Sequence, residues 1–286
     1  MTNIERPVTR LATPRSPLIP GVLDVLSLLA AALMVAASAT GLFVHGVYRD
    51  NTWSAAAFRG TDATTLFLVV PVLMAAVVWS RQGSLIARLV WLGVLAYNVY
   101  NYAFYAFGTA FNDLFLLYTA TMATSLVVLV FAMPRVLATV TAHAGAPFRV
   151  VGGYLVLVGA LFGVVWVVQS LKYVVNDELP KVITDSGIHT SIVFALDLTL
   201  VVPGLLITGV LLWRRTDAAV ALGVVMNVLA VLYMAALAVA GAFQHRAGIE
   251  GSNWTNPPYL EVGIGSLIAL ILLVPHVKTR LPVDGS

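Results

Sequence analysis

The 286-residue chain is 60% hydrophobic and 10% charged, carries a net charge of +3 with a pI near 9.3, and contains no cysteine. Soluble domains average roughly 45–50% apolar and about 25% charged residues, so this composition excludes a water-soluble globule and points to an integral membrane protein. The missing thiol excludes disulfides, thiolate nucleophiles and thiolate metal sites. Most basic residues sit beside apolar runs, where they orient a chain in the bilayer, and no nucleic-acid partner is expected.

A helix needs about 20 mostly apolar residues to cross ~30 Å of hydrocarbon. Apolar runs bounded by charged or loop residues predict eight spans, in chain order 20–47, 62–80, 86–108, 112–133, 149–171, 189–213, 218–243 and 259–276. The even number puts both termini on one side. With cytoplasmic termini, eleven basic residues fall inside: Arg6, Arg10, Arg15, Arg81, Arg88, Arg135, Arg149, Arg214, Arg215, Lys278 and Arg280. Five fall outside, namely Arg49, Arg59, Lys172, Lys181 and Arg246, a bias that favours this orientation. The Arg-bearing start followed by "VAASAT" also fits a cleaved signal peptide, but the apolar run continues past that site and the repeat described next includes this span.

Displaced by 132 residues, the chain pairs with itself at Gly21 and Gly153, Leu23 and Leu155, Leu29 and Leu161, and Ser38 and Ser170. The offset persists through "LFLVVP" (66–71) against "LTLVVP" (198–203) and through Ala110-Phe111 against Ala242-Phe243. At 141, Ser125-Leu126 and Pro134 match Ser266-Leu267 and Pro275. The expected fold class is therefore all-α, eight transmembrane helices arranged as two parallel-repeat four-helix bundles. The expected divisions are a cytoplasmic segment 1–19, a first repeat 20–140, a second repeat 145–278 and a cytoplasmic tail 279–286.

The third span carries the most unusual stretch, "YNVYNYAFYAFGTAFND" (97–113). Trp91, Val94, Asn98, Asn101, Tyr102 and Tyr105 recur at three- and four-residue spacing and share one helical face. Asn98 falls near mid-depth, and Tyr102 and Tyr105 fall in the outer half. Asn112, Asp113 and Tyr118 begin the fourth span from the outer end, Asp62, Thr64 and Thr65 begin the second, and Tyr48, Asp50, Trp53 and Arg59 come from the first outer loop. Asparagine commonly joins membrane helices and tyrosine populates the interfacial belt, so packing competes with ligand binding as the reason for this stripe.

Asp197, in "FALDLTLVVP", lies about two turns into the sixth span, where a charged carboxylate costs around 2.5–3.5 kcal/mol on insertion scales. Its expected partners are Arg59, His189, Lys181 or the Asn/Tyr stripe. Pro203 and Pro71 free backbone carbonyls near Thr199 and Phe67 and predict kinks. Asp24 and Glu261 are expected to be solvated at the interface. His45, His189 and His245 share the outer side without ligand spacing, and no cofactor or metal is expected. Walker, G-x-S-x-G, H-E-x-x-H and dinucleotide fingerprints do not occur.

The strings "VYRDNTW", "RGTD", "WLGVLAYNVYNYAFYAFGTAFNDLFLLY" and "LDLTLVVPGLLITGVLLWRR" resemble a group of uncharacterised bacterial multi-pass membrane proteins, across residues 46–125 and 190–220. The resemblance implies a multi-pass protein of the bacterial cytoplasmic membrane and brings no activity with it.

Three functions follow from these residues. The leading expectation is binding or transport of a small apolar or amphipathic molecule in an outer-facing cavity between helices. Asp62, Asn98, Asn101, Tyr102, Tyr105, Asn112, Tyr118 and Asp197 are the candidate ligand-binding residues. An intramembrane enzyme acting on a lipid or isoprenoid, with Asp197 or Asp62 as acid or base, ranks behind it. The third is a non-catalytic subunit or receptor that docks through loops 172–188 and 244–258. The corresponding partners are membrane lipids, a small-molecule ligand and, in the last reading, another membrane protein.

Overall fold

The computed structural model describes residues 19–142 and 145–280. Residues 1–18 of the expected N-terminal segment, with Arg6, Arg10 and Arg15, lie outside the described residues, as do His143 and most of the expected tail. Among the described residues nine helices follow in order: α1 (Ile19–Phe43), α2 (Thr52–Arg81), α3 (Leu85–Gly108), α4 (Phe115–Ala138), α5 (Phe148–Asn176), the short α6 (Lys181–Ser186), α7 (Ile192–Trp213), α8 (Asp217–Arg246) and α9 (Pro257–Leu273). All of these except α3 and α6 are long and apolar enough to cross a membrane, and these seven helices define a multi-pass membrane protein. The Asn and Tyr residues of α3 lower its hydropathy, yet fifteen of its 24 residues are buried. Its neighbours, rather than lipid, surround it.

Two helices form the centre. α3 packs against α2, α4 and α8, while α8 also packs against α2, α7 and α9. α1 closes on α2 and α4, and α5 closes on α7. Small residues permit these approaches. A Cβ on Gly60 of α2 would stand 2.5 Å from the Ala240 Cα of α8, and one on Gly152 of α5 would stand 2.8 Å from the Gly209 carbonyl of α7.

The second helix begins ten residues before the expected position 62. Asn51 caps it by accepting the Ser54 N–H at 2.9 Å, and the Ala, Ser and Gly residues that follow pack against α8 instead of facing lipid. Their low hydropathy hid this segment from a count of apolar runs. Asp62, Thr64 and Thr65 consequently sit well inside a helix, and Trp53 and Arg59 belong to α2 rather than to a loop.

The predicted proline irregularities take a definite form. Residues 65–69 of α2 and 197–201 of α7 each make one π turn just before Pro71 and Pro203. An i to i+5 turn accommodates the proline ring and the hydrogen bond it lacks without breaking the helix. The two π turns are separated by 132 residues.

Two features had no sequence signal of their own: the short α6, and an antiparallel pair of three-residue strands. β1 (Val140–Ala142) follows α4 and pairs with β2 (Val277–Thr279) near the chain's end, with Val140 opposite Thr279.

Candidate functional site

Helices α1 to α4 run alternately up and down, so residues 24, 81, 88 and 135 share one end and residues 41, 52, 105 and 115 the other. These are called below the arginine end and the tyrosine end.

Near the tyrosine end, the Asp62 carboxylate is 2% exposed and, among the described residues, has no ion-pair partner within salt-bridge distance. Tyr48 donates to its Oδ2 at 2.5 Å, and the Tyr105 hydroxyl stands 3.0 Å from Oδ1. Ser38 of α1 lies alongside, as does Arg59, whose buried Nε has no hydrogen-bond partner. The Tyr48 phenol belongs to the α1–α2 loop. Burial first, and the negative charge of Asp62 second, hold its pKa well above the ordinary value, so it remains a donor.

Aromatic rings fill this end. Tyr48 lies 5.1 Å from Phe58, Tyr105 lies 4.9 Å from Tyr118, and Tyr102 lies 5.8 Å from Tyr105, centroid to centroid. Such pairs contribute about 0.5–1.5 kcal/mol each beyond their buried area. Asp50 stitches the loops above them by accepting the Ala110 N–H at 2.9 Å, while its other carboxylate oxygen is buried without a partner. Burial raises the Asp50 pKa and the Ala110 hydrogen bond partly opposes the shift.

Below Asp62, the interior of the four helices is polar and incompletely paired. Asn98 donates to the Met34 sulfur at 3.1 Å, a weak acceptor, and its Oδ1 has no partner. Six more buried polar atoms of these helices lack one: Thr65 Oγ1, Tyr97 Oη, Asn101 Nδ2, Tyr102 Oη and Ser125 Oγ here, and Tyr118 Oη among the rings of the tyrosine end. Tyr97 and Thr65 lie near each other, as do Tyr102 and Ser38, and Tyr118 and Tyr48, but outside hydrogen-bond geometry. A buried polar group without a partner costs roughly 1–3 kcal/mol, and hydrocarbon supplies no substitute. Further along, the Trp91 indole donates to Ser27 Oγ at 3.0 Å.

At the arginine end lies a cavity of about 560 Å³ lined by Arg81, Arg88, Arg135, Asp24 and the apolar Leu23, Trp91 and Val136. Pockets of roughly 300–1,000 Å³ hold small organic molecules. A second cavity, beneath α6 and against Trp53 and Phe104, measures only about 50 Å³.

Asp197 occupies a separate site where α3, α5, α7 and α8 meet. It is fully buried, accepts the Trp166 indole N–H at 2.9 Å, and lies 2.8 Å from the Tyr100 hydroxyl. Tyr233 stands 2.8 Å beyond Tyr100, and Phe194 stacks on Trp166 at 4.3 Å. None of the charged partners expected for Asp197 takes part in these bonds; the partner comes from α3, on the face opposite the stripe.

Of the candidate residues, Asp62, Asn98, Asn101, Tyr102, Tyr105 and Tyr118 gather inside the first four helices. Asn112 lies at their rim and spends its side chain on a local turn, accepting the Leu114 N–H at 2.9 Å and donating to the Ala110 carbonyl at 3.1 Å. Asp197 is apart from them. Asp24 pairs with Arg81 at 3.2 Å, and Glu261 is exposed. Among the described residues no three His, Asp or Glu side chains gather into a metal-ligand group. Tyr100, Trp166 and Tyr233 were missed because each reads as ordinary aromatic filling. Arg81, Arg88 and Arg135 were read only as markers of orientation.

Compared with known proteins, the chain matches no family model, no curated protein and no solved structure.

Proposed function

We propose that the protein is a small-molecule carrier of the bacterial cytoplasmic membrane, with a polar compartment for an amphipathic molecule inside α1–α4. The carrying observation is the set of seven unpartnered polar atoms within those helices. A solid membrane core would pair or omit such groups, whereas a compartment that receives water or a ligand satisfies them on loading. The tyrosine rings close one end and the 560 Å³ cavity lies at the other, separated from the polar interior by Trp91, so entry is assigned to the arginine end, past Trp91, rather than to an outer-facing mouth. With eight spans and cytoplasmic termini, that end faces the cytoplasm, in keeping with its three arginines. The parallel-repeat arrangement is supported by the matching π turns at 65–69 and 197–201. The seven atoms all belong to the first repeat, which makes the carrier asymmetric.

The chain contains no cysteine, so single cysteines can be introduced without background. Asn98→Cys, Asn101→Cys and Ser125→Cys should react with a small membrane-impermeant thiol reagent applied from the cytoplasmic side, while Leu92→Cys, at a fully buried apolar position, should not. Protection of all three polar positions to the level of Leu92→Cys, from both sides, would sink the carrier reading.

A further inference from the structure

We propose that the cavity at the arginine end is a binding site for the phosphate-type anionic head of a single-chain amphiphile. Three helices each contribute one guanidinium: Arg81 ends α2, Arg88 lies in the first turn of α3, and Arg135 lies in the last turn of α4. Asp24 is the single acidic residue in the lining and is engaged by Arg81 at 3.2 Å. Among the described ion pairs none involves Arg88 or Arg135, and the Arg135 guanidinium reaches only the neutral Phe131 carbonyl. Among the described residues the mouth therefore holds an uncompensated positive charge. Guanidinium groups match phosphate oxygens in a planar two-pronged geometry, and basic pockets between membrane helices on the cytoplasmic side take anionic heads.

The deeper wall is different. Leu23 and Val136 are buried and apolar, and Trp91, one turn beyond Arg88, forms the floor with its indole N–H turned away to Ser27. A cationic mouth over an apolar floor suits a ligand with a charged head and a hydrocarbon tail better than a small inorganic ion. The same head chemistry could arrive on a membrane lipid or as free phosphate, and competition separates the two. This site goes beyond the carrier reading, which uses the cavity only as its entry, and it does not rest on that reading, since none of the unpartnered interior residues lines it.

The test uses the full-length chain in dodecyl maltoside, titrated with dodecyl phosphate and counted by native mass spectrometry. One saturable equivalent is expected, with dodecyltrimethylammonium bound at no such site. Arg88→Gln and Arg135→Gln should each weaken binding about tenfold or more, and Arg88→Lys should restore part of it. Arg214→Gln and Arg215→Gln remove the same charge from the α7–α8 turn and should change nothing. Displacement by millimolar inorganic phosphate assigns the head alone as the ligand, and resistance to displacement assigns the amphiphile. Absence of a saturable equivalent overturns the proposal, as does retained affinity in folded Arg88→Gln and Arg135→Gln proteins, or an equal loss in the Arg214→Gln and Arg215→Gln controls. The cysteine labelling above reads the interior separately, so either result can fail alone.

Discussion

Gly41 of α1 and Asp62 of α2 meet so closely that a Cβ on Gly41 would stand 2.2 Å from Asp62 Oδ2 and 2.5 Å from the Tyr48 hydroxyl. The glycine makes the space in which the buried carboxylate and its tyrosine donor meet. Gly41→Ala should therefore destabilise the protein by about 1–3 kcal/mol, measured by denaturant unfolding in micelles. Asp62→Ala should also destabilise, because it leaves Tyr48 and Tyr105 short of an acceptor. The double variant removes the clash with Asp62 and frees the Tyr48 hydroxyl, no longer held by the carboxylate, to swing aside, so the two effects should fall short of additivity by about 1 kcal/mol or more. Simple additivity would refute the contact.

Tyr100 and Asp197 form the second buried pair, joined across α3 and α7 at 2.8 Å. A double-mutant cycle with Tyr100→Phe and Asp197→Asn should return a coupling of about 0.6–2 kcal/mol, the range for hydrogen bonds between membrane helices. Tyr233→Phe should weaken the same coupling, since Tyr233 holds the Tyr100 hydroxyl at 2.8 Å. A coupling near zero would mean that Asp197 is held by Trp166 alone.

Gly60 sets the distance between α2 and α8. Gly60→Val places branched carbons where Ala240 backbone atoms already stand, and no rotamer relieves a clash with backbone. A loss of about 2 kcal/mol or more is expected, visible as a lowered unfolding temperature. Unchanged stability would show that the two helices lie further apart than described.

Asp50 carries a pH signature. Folding raises its pKa from 3.8, chiefly by burial. Its contribution to stability is thus whole below the ordinary carboxylate value and is lost as pH rises through the folded value. Asp50→Asn keeps an oxygen for the Ala110 N–H and removes the titration. As pH rises above the ordinary carboxylate value the wild type should lose stability relative to Asp50→Asn; a pH-independent difference would argue against the burial effect.

The sequence made the helices legible where composition and burial agree. Runs such as 149–171 and 218–243 are predominantly apolar and lie within α5 and α8. It misled at 52–61, where small and polar residues form a helix because α8, not lipid, lies beside them. The Asn/Tyr stripe of α3 was readable because helical spacing shows which residues share a face. Which faces meet is a tertiary fact, and so Tyr100 on the opposite face went unnoticed as the partner of Asp197. The arginine cavity was hidden for a related reason: Arg81, Arg88 and Arg135 stand on three helices, and their convergence depends on how those helices pack.

The small ladder of β1 and β2 has a mechanical meaning. It clasps the stretch after α4 to the stretch after α9, and β2 also rests against α3. At the opposite end the Asn51 amide donates to the Asp185 carbonyl at 2.8 Å and the Ser54 hydroxyl to that of Ser186 at 3.0 Å. The two halves of the chain are thus laced together twice, by backbone strands at the arginine end and by two side-chain bonds at the tyrosine end, and neither lacing is carried by an apolar contact.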